Sequence, residues 1–217
     1  MKKYELVIFD MDGTILDTLD DLHQSMVYAL TSCGYEPITR QQARSYVGNG
    51  IRKYTERALP EGTSQEEIER VYETMMPYYK EHNADMTRPY PGITELLERL
   101  RAAGIRTAVV SNKADAAVKV LAEKYFPGLF DMAVGEKPPM ARKPAPDEVN
   151  YVLEEMGYDR SQAVYVGDSN VDVETARNSE MDLIAVDWGF RDRDVLENMG
   201  VENIVSQASE IYDYVIG

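Results

Sequence analysis

Two aspartates one residue apart follow an apolar run. Asp10 and Asp12 lie in Asp10-Met11-Asp12-Gly13-Thr14, directly after Leu6–Phe9. Carboxylates this close repel unless one is protonated or both share a cation. Either arrangement suits phosphoryl transfer. One carboxylate can attack phosphorus as an aspartyl nucleophile; the other can give a proton to the leaving oxygen and later take one from water. Gly13 allows a sharp turn that brings Asp12 back over the same pocket. The plainer alternatives are a polar turn and a calcium loop. A calcium loop starting at Asp10 needs Gly at its sixth position, where Ile15 stands, and Glu at its twelfth, where Asp21 stands.

A second acidic cluster, Gly167-Asp168-Ser169-Asn170-Val171-Asp172, also follows an apolar run. Asp168 and Asp172 are spaced by one helical turn. They are either first-turn residues favoured by the helix dipole or oxygen ligands for magnesium, which keeps several waters and needs few carboxylates. An anionic pocket needs a cation besides the metal. Lys143, between the prolines of Ala141-Arg142-Lys143-Pro144-Ala145-Pro146, is a candidate, against the reading of a solvated loop lysine. Ser111 and Asn112 end another apolar run, either as a helix cap or as a hydroxyl and amides that hold phosphate.

These residues need a scaffold that gathers them. Leu6–Phe9, Ile105–Val110 and Ala163–Val166 read as strands buried on both faces, with Phe130–Val134 and Leu183–Val186 as further strands. Amphipathic helices at 93–103, 114–125, 146–156 and 171–179 alternate with them. This pattern gives an α/β fold: a doubly wound, Rossmann-like parallel sheet with helices on both faces. Ligands of such sheets bind beyond the carboxyl ends of the strands, where Asp10, Ser111, Asn112 and Asp168 all fall. Between Asp17 and Ala84 the pattern is almost purely helical. Leu19, Leu22, Met26, Leu30 and Cys33 recur at helical spacing, Ser64 with Glu67 forms a capping-box pattern, and Pro77 is expected to kink or end its helix. The block 17–84 therefore reads as a helical cap inserted into a discontinuous core of residues 1–16 and 85–217.

Composition narrows the function. A formal charge of −15 over 217 residues excludes a general nucleic-acid or anionic-membrane partner. The N-terminal apolar run is too short to span a membrane and is followed at once by acidic residues, and Cys33 is the only cysteine. A reducing cytoplasm is the expected compartment.

The chain resembles the haloacid dehalogenase superfamily of phosphatases. Four motifs of that family stand in order: DMDGT at Asp10–Thr14, VVSN ending at Ser111 and Asn112, the lysine of KPAPD at Lys143, and GDSNVD at Gly167–Asp172. Within it, DGTILDT, VGNGIRKYTERAL, PYPGI, VVSNK and VGDSNVD resemble the phosphoglycolate-phosphatase-like group. The resemblance implies a Mg2+-dependent phosphatase acting on a small phosphorylated metabolite. It implies Asp10 as nucleophile and metal ligand. Asp12 becomes the general acid/base, with its backbone carbonyl on the metal. Thr14, Ser111 and Asn112 join the phosphate site, Lys143 stabilises phosphoryl charge and nucleophile, and Asp168 completes the metal site. Asp172 supports Lys143 or metal-bound water.

Pyrophosphatase and sugar-phosphate phosphatase or mutase activity are the alternatives within the superfamily. A mutase places a histidine early in the cap, and His23 falls one position beyond that place. The dehalogenases lack the Asp12-type acid. A phospho-receiver domain uses similar residues but is shorter and carries its acceptor on a later strand; a non-catalytic phosphate-binding protein is the remaining alternative. In the cap, the Gly48-Asn49-Gly50 turn with Arg52 and Lys53 is expected either to read a second anionic group of the substrate, as part of a lid, or to be an ordinary turn beside two solvated bases.

Overall fold

A computed structural model describes residues 3–217. The chain divides into two compact units: one runs up to Leu16 and resumes at Pro89–Gly217, and the other is Asp17–Arg88. The second junction thus lies at 88/89 rather than 84/85. Residues 86 and 87 belong with the helices because the buried Asp21 carboxylate accepts the Met86 and Thr87 N–H groups and the Thr87 hydroxyl.

The larger unit holds a six-stranded parallel sheet. Its first strand is β1 (Leu6–Phe9). Two-residue strands, β2 (Leu16–Asp17) and β3 (Arg88–Pro89), lie at the junctions. The sheet continues with β4 (Arg106–Ala114), β5 (Met132–Glu136), β6 (Ala163–Gly167), β7 (Asp182–Val186) and β8 (Ile204–Val205), in the order β5-β4-β1-β6-β7-β8. β1 is central and buried throughout, which its unbroken apolar run requires. Phe9 is level with Val109 on one side and Val166 on the other, so the residues that follow emerge from neighbouring strands at one height. The order runs outward in both directions from β1. Asp10 therefore stands at the switch point where a crevice opens in such sheets. Leu6, Ile8, Val110, Val134, Val149, Val152 and Tyr165 share one apolar core layer.

The observed strands shift slightly from expectation. β4 runs on to Ala114, with a register irregularity between Ser111 and Ala114, and β5 begins at Met132 rather than Phe130. The Asp131 carboxylate accepts the Thr107 N–H, which explains why the chain joins the sheet only after it.

The smaller unit contains α1 (Leu19–Ser32), α2 (Arg40–Tyr46), α3 (Ile51–Ala58) and α4 (Gln65–His82). Of the two expected effects of Pro77, the helix end is not found: α4 passes through it. Met75 and Tyr79, on either side of it, are both buried, and this packing holds the helix across the missing N–H. Ser64 caps the Glu67 N–H. The Glu67 carboxylate does not reciprocate but accepts from Tyr35 and Arg70.

Candidate active site

The ends of β1, β4 and β6 bring Asp10, Ser111 and Asp168 together, as the strand pattern requires. The Asp10 N–H donates to the Val166 carbonyl at 2.8 Å, tying the nucleophile candidate to β6. Lys143 is buried to 3% exposure. Its Nζ donates to Asp10 Oδ1 (2.6 Å), Tyr165 Oη (2.9 Å) and Asp172 Oδ1 (2.9 Å). An ammonium has three protons, so this one is saturated. The solvated-loop alternative for Lys143 is thereby removed.

Among Asp10, Asp168 and Asp172, one oxygen from each lies within 4.8 Å of the others. Their lone pairs distinguish them. Asp172 Oδ1 accepts from Lys143 and Tyr165, and Oδ2 accepts from the Asp168 and Ser169 N–H groups and the Ser169 hydroxyl. Each carboxylate oxygen has about two acceptor sites, so Asp172 has none left for a cation. Its place is beside Lys143. Asp168 Oδ1 accepts from the Thr14 hydroxyl (3.1 Å) and Oδ2 from the Phe190 N–H (2.6 Å), which leaves it less committed than Asp172. Asp10 and Asp168 are therefore the carboxylates able to hold a metal.

Electrostatics point the same way. Burial, followed by the charge of Asp172, pushes the Asp10 carboxyl well above the usual range, and the same causes push Asp168 up to about 7. Burial disfavours charge on Lys143 and Asp172 too. For Lys143 the charges of Asp10 and Asp172 outweigh it and hold the ammonium well above its ordinary value; for Asp172 the Lys143 charge and its hydrogen bonds outweigh it and hold the carboxyl below. With all three carboxylates ionised, one ammonium would leave two negative charges in a water-poor site, and that excess is what raises Asp10 and Asp168. An all-oxygen donor set with that imbalance fits a divalent cation.

Asp12 is partly exposed, with Oδ1 at 3.2 Å from Lys113 Nζ, an ion pair without hydrogen-bond alignment. The Ser111 hydroxyl oxygen accepts the Lys113 N–H, which leaves its proton for an incoming oxygen. Two expected phosphate groups have other partners. The Thr14 hydroxyl orients Asp168, and the Asn112 side-chain amide donates to the Lys143 carbonyl at 3.0 Å, holding the Lys143 loop against β4.

In the helical unit, Gly48, Asn49 and Gly50 all have positive φ, and Arg57 ties the turn down through the Tyr46 and Gly48 carbonyls and Asn49 Oδ1. Arg52 pairs with Glu69, and Lys53 with Glu56 at 2.6 Å. Both expected anion-reading cations thus face carboxylates of their own unit.

Several site residues escaped the sequence reading. Tyr165 is one of the apolar-strand residues, indistinguishable in sequence from core. The turn after β7 is another: besides the Phe190 bond to Asp168, the Trp188 indole N–H donates to the Thr14 carbonyl at 3.1 Å. A Cβ on Gly189 would stand 2.4 Å from both Asp168 Oδ2 and the Gly13 carbonyl oxygen. A Trp-Gly-Phe run one residue beyond an apolar strand was the available clue. Lys113 was legible only as the neighbour of Ser111 and Asn112.

Parallel strands bring a lysine-bound aspartate and two further carboxylates to one switch-point crevice of an α/β fold. The model of the haloacid dehalogenase-like hydrolases matches residues 7–186, and the chain belongs to that family. Among its relatives is a phosphoglycolate phosphatase of Agrobacterium fabrum, 34% identical over 200 residues, covering 88% of this chain and 84% of the relative. Another, from Mesorhizobium japonicum, is 32% identical and covers 88% and 86%. A crystal structure from Lactobacillus delbrueckii subsp. bulgaricus, described as a candidate phosphoglycolate phosphatase, superposes with a TM-score of 0.96 at 41% identity, over 100% of both chains. Among the described residues, no helix is long and apolar enough to cross a membrane.

Proposed function

We propose that this chain, a phosphatase of the haloacid dehalogenase-like family, hydrolyses a small phosphate monoester through phosphoryl transfer to Asp10. The observation that carries this reading is the asymmetry of Asp10. Its Oδ1 is held by the Lys143 ammonium, which leaves Oδ2 to attack. In the first step Oδ2 bonds to phosphorus, the bond to the ester oxygen breaks, and Asp12 gives that oxygen a proton. In the second, Asp12 takes a proton from water, the water oxygen bonds to phosphorus, and inorganic phosphate leaves Asp10. Lys143 offsets phosphoryl charge throughout, and the Ser111 hydroxyl donates to a phosphoryl oxygen.

Asp10, Asp168 and the Asp12 backbone carbonyl are proposed to hold Mg2+, which supplies charge neutralisation at the phosphoryl oxygens when bound. Support comes from the oxygen-only donors and the unbalanced buried charge. The names of the relatives favour 2-phosphoglycolate as substrate.

The test is phosphate release from 2-phosphoglycolate and from pyrophosphate, with and without chelator, by the native chain and by Asp10→Asn. Native turnover of the former that stops in chelator and returns with Mg2+, and loss of both turnover and covalent phosphate in the folded variant, are expected. Full activity of Asp10→Asn would overturn the mechanism; preference for pyrophosphate would overturn the substrate.

A further inference from the structure

Lys113 is a largely covered cation that the mechanism above does not use. Its side chain is 10% exposed, and its Nζ lies 3.2 Å from Asp12 Oδ1. The backbone around it is fixed from both directions. Its N–H donates to Ser111 Oγ at 3.2 Å, and its carbonyl is packed so closely on Gly135 that a Cβ there would stand 2.4 Å away. The Gly135 N–H in turn donates to Asp115 Oδ1 at 3.1 Å. Asn112 and Lys113 occupy the register irregularity of β4 between Ser111 and Ala114. Such irregularities beside active sites re-aim a side chain. Here the aim is toward the carboxylate that faces the leaving oxygen.

That position has a consequence for substrate choice. A general acid must come within hydrogen-bond reach of the ester oxygen, about 2.6–3.2 Å. An ammonium in contact with the same carboxylate is then next to whatever group the leaving alcohol carries beside that oxygen. A carboxylate on the adjoining carbon falls within its reach. A methyl or hydrogen there offers nothing. In a site this poor in water, a charge pair is worth more than on the surface.

Rival cations have other partners. Lys143 is saturated by Asp10, Tyr165 and Asp172, and Arg52 and Lys53 face Glu69 and Glu56. Arg191 stands on the Asp168 side, where its charge is felt and where its Nη1 donates to the Phe190 carbonyl.

We propose that Lys113 is the specificity residue for the leaving group, its ammonium moving from Asp12 to the carboxylate of a phosphate ester of a small 2-hydroxy acid. This rests on the phosphatase reading and narrows its substrate class.

The experiment compares 2-phosphoglycolate with ethyl phosphate, which has methyl in place of the carboxylate. Steady-state constants are measured for the native chain, Lys113→Met, Lys113→Arg and Arg191→Met. Affinities for both esters are measured by calorimetry on Asp10→Asn with and without Lys113→Met. Lys113→Met is expected to weaken 2-phosphoglycolate by roughly tenfold or more, in KM and in affinity, since a hydrogen bond between charged groups is lost. Ethyl phosphate should change by less than about threefold in both, and Lys113→Arg should recover part of the difference. Equal losses on the two esters would place Lys113 in the service of Asp12 and overturn the proposal. So would no loss, or a selective loss in Arg191→Met instead. If the native chain releases no phosphate from any ester, the phosphatase reading fails, and the affinities alone still decide the role of Lys113.

Discussion

Tyr165→Phe removes a single oxygen from the middle of β6 and leaves the ring packing in place. That oxygen accepts from Lys143 Nζ at 2.9 Å and donates to Asp172 Oδ1 at 3.0 Å, with all three residues buried. A hydrogen bond to a charged group contributes about 1.5–3 kcal/mol, and both of these have a charged partner. Without the hydroxyl, one ammonium proton loses its acceptor where water has little access. Both bonds are lost, but Asp172 Oδ1 still accepts from Lys143 and Lys143 keeps Asp10 and Asp172, so the ion pairs survive; the buried group left without a partner is one ammonium proton, and the loss is about 2 kcal/mol of stability or more. The ammonium also becomes free to tilt away from Asp10 Oδ1. A loss of that size in the transition state alone corresponds to roughly a thirtyfold fall in turnover. Urea unfolding at pH 7.5 and steady-state kinetics on para-nitrophenyl phosphate at saturating Mg2+ would measure the two effects. A double-mutant cycle with Lys143→Met should show coupling above about 0.5 kcal/mol. Stability and turnover both within about twofold of native, with no coupling, would refute the claim that Tyr165 orients Lys143.

Asp12→Asn should slow alkyl phosphates far more than para-nitrophenyl phosphate, because a good leaving group needs no proton; equal losses across leaving groups would remove its acid role. Gly189→Ala places a Cβ against Asp168 Oδ2, and should raise the Mg2+ concentration for half-maximal activity by roughly tenfold; an unchanged requirement would show that the turn after β7 does not brace Asp168. Asp168, ordinarily ionised above 3.8, is held up to about 7 in the metal-free fold. Between those values the folded chain binds a proton that the unfolded chain has lost, so this group's contribution to stability falls as pH rises from about 4 to about 7 and is level above. Mg2+ competes with that proton. The rise in melting temperature on adding Mg2+ should therefore be larger at pH 7.5 than at pH 5.5, and the reverse order would contradict the assigned shift.

The sequence alone determined the elements that are decided locally. Leu6–Phe9 could only be a strand buried on both faces, and strand-helix alternation after Pro91 implied a parallel sheet, because backbone groups and apolar side chains must be satisfied together. Asp10, Lys143 and Asp168 could be named because unusual residues at strand ends and between prolines stand out against an apolar background. What the sequence left open were choices between partners far apart in the chain. Whether Asp172 holds a cation or Lys143, whether Thr14 faces phosphate or Asp168, and which cation stands beside Asp12 depend on how lone pairs and protons are shared among residues up to 154 positions apart. Tyr165 shows the limit most plainly. In the strand it looks like core, and only the fold brings its hydroxyl to a buried ammonium that lacks a third acceptor without it. Propensity and periodicity describe a residue's own segment. The saturation of a buried charge is a property of everything that surrounds it, and only the tertiary structure supplies that.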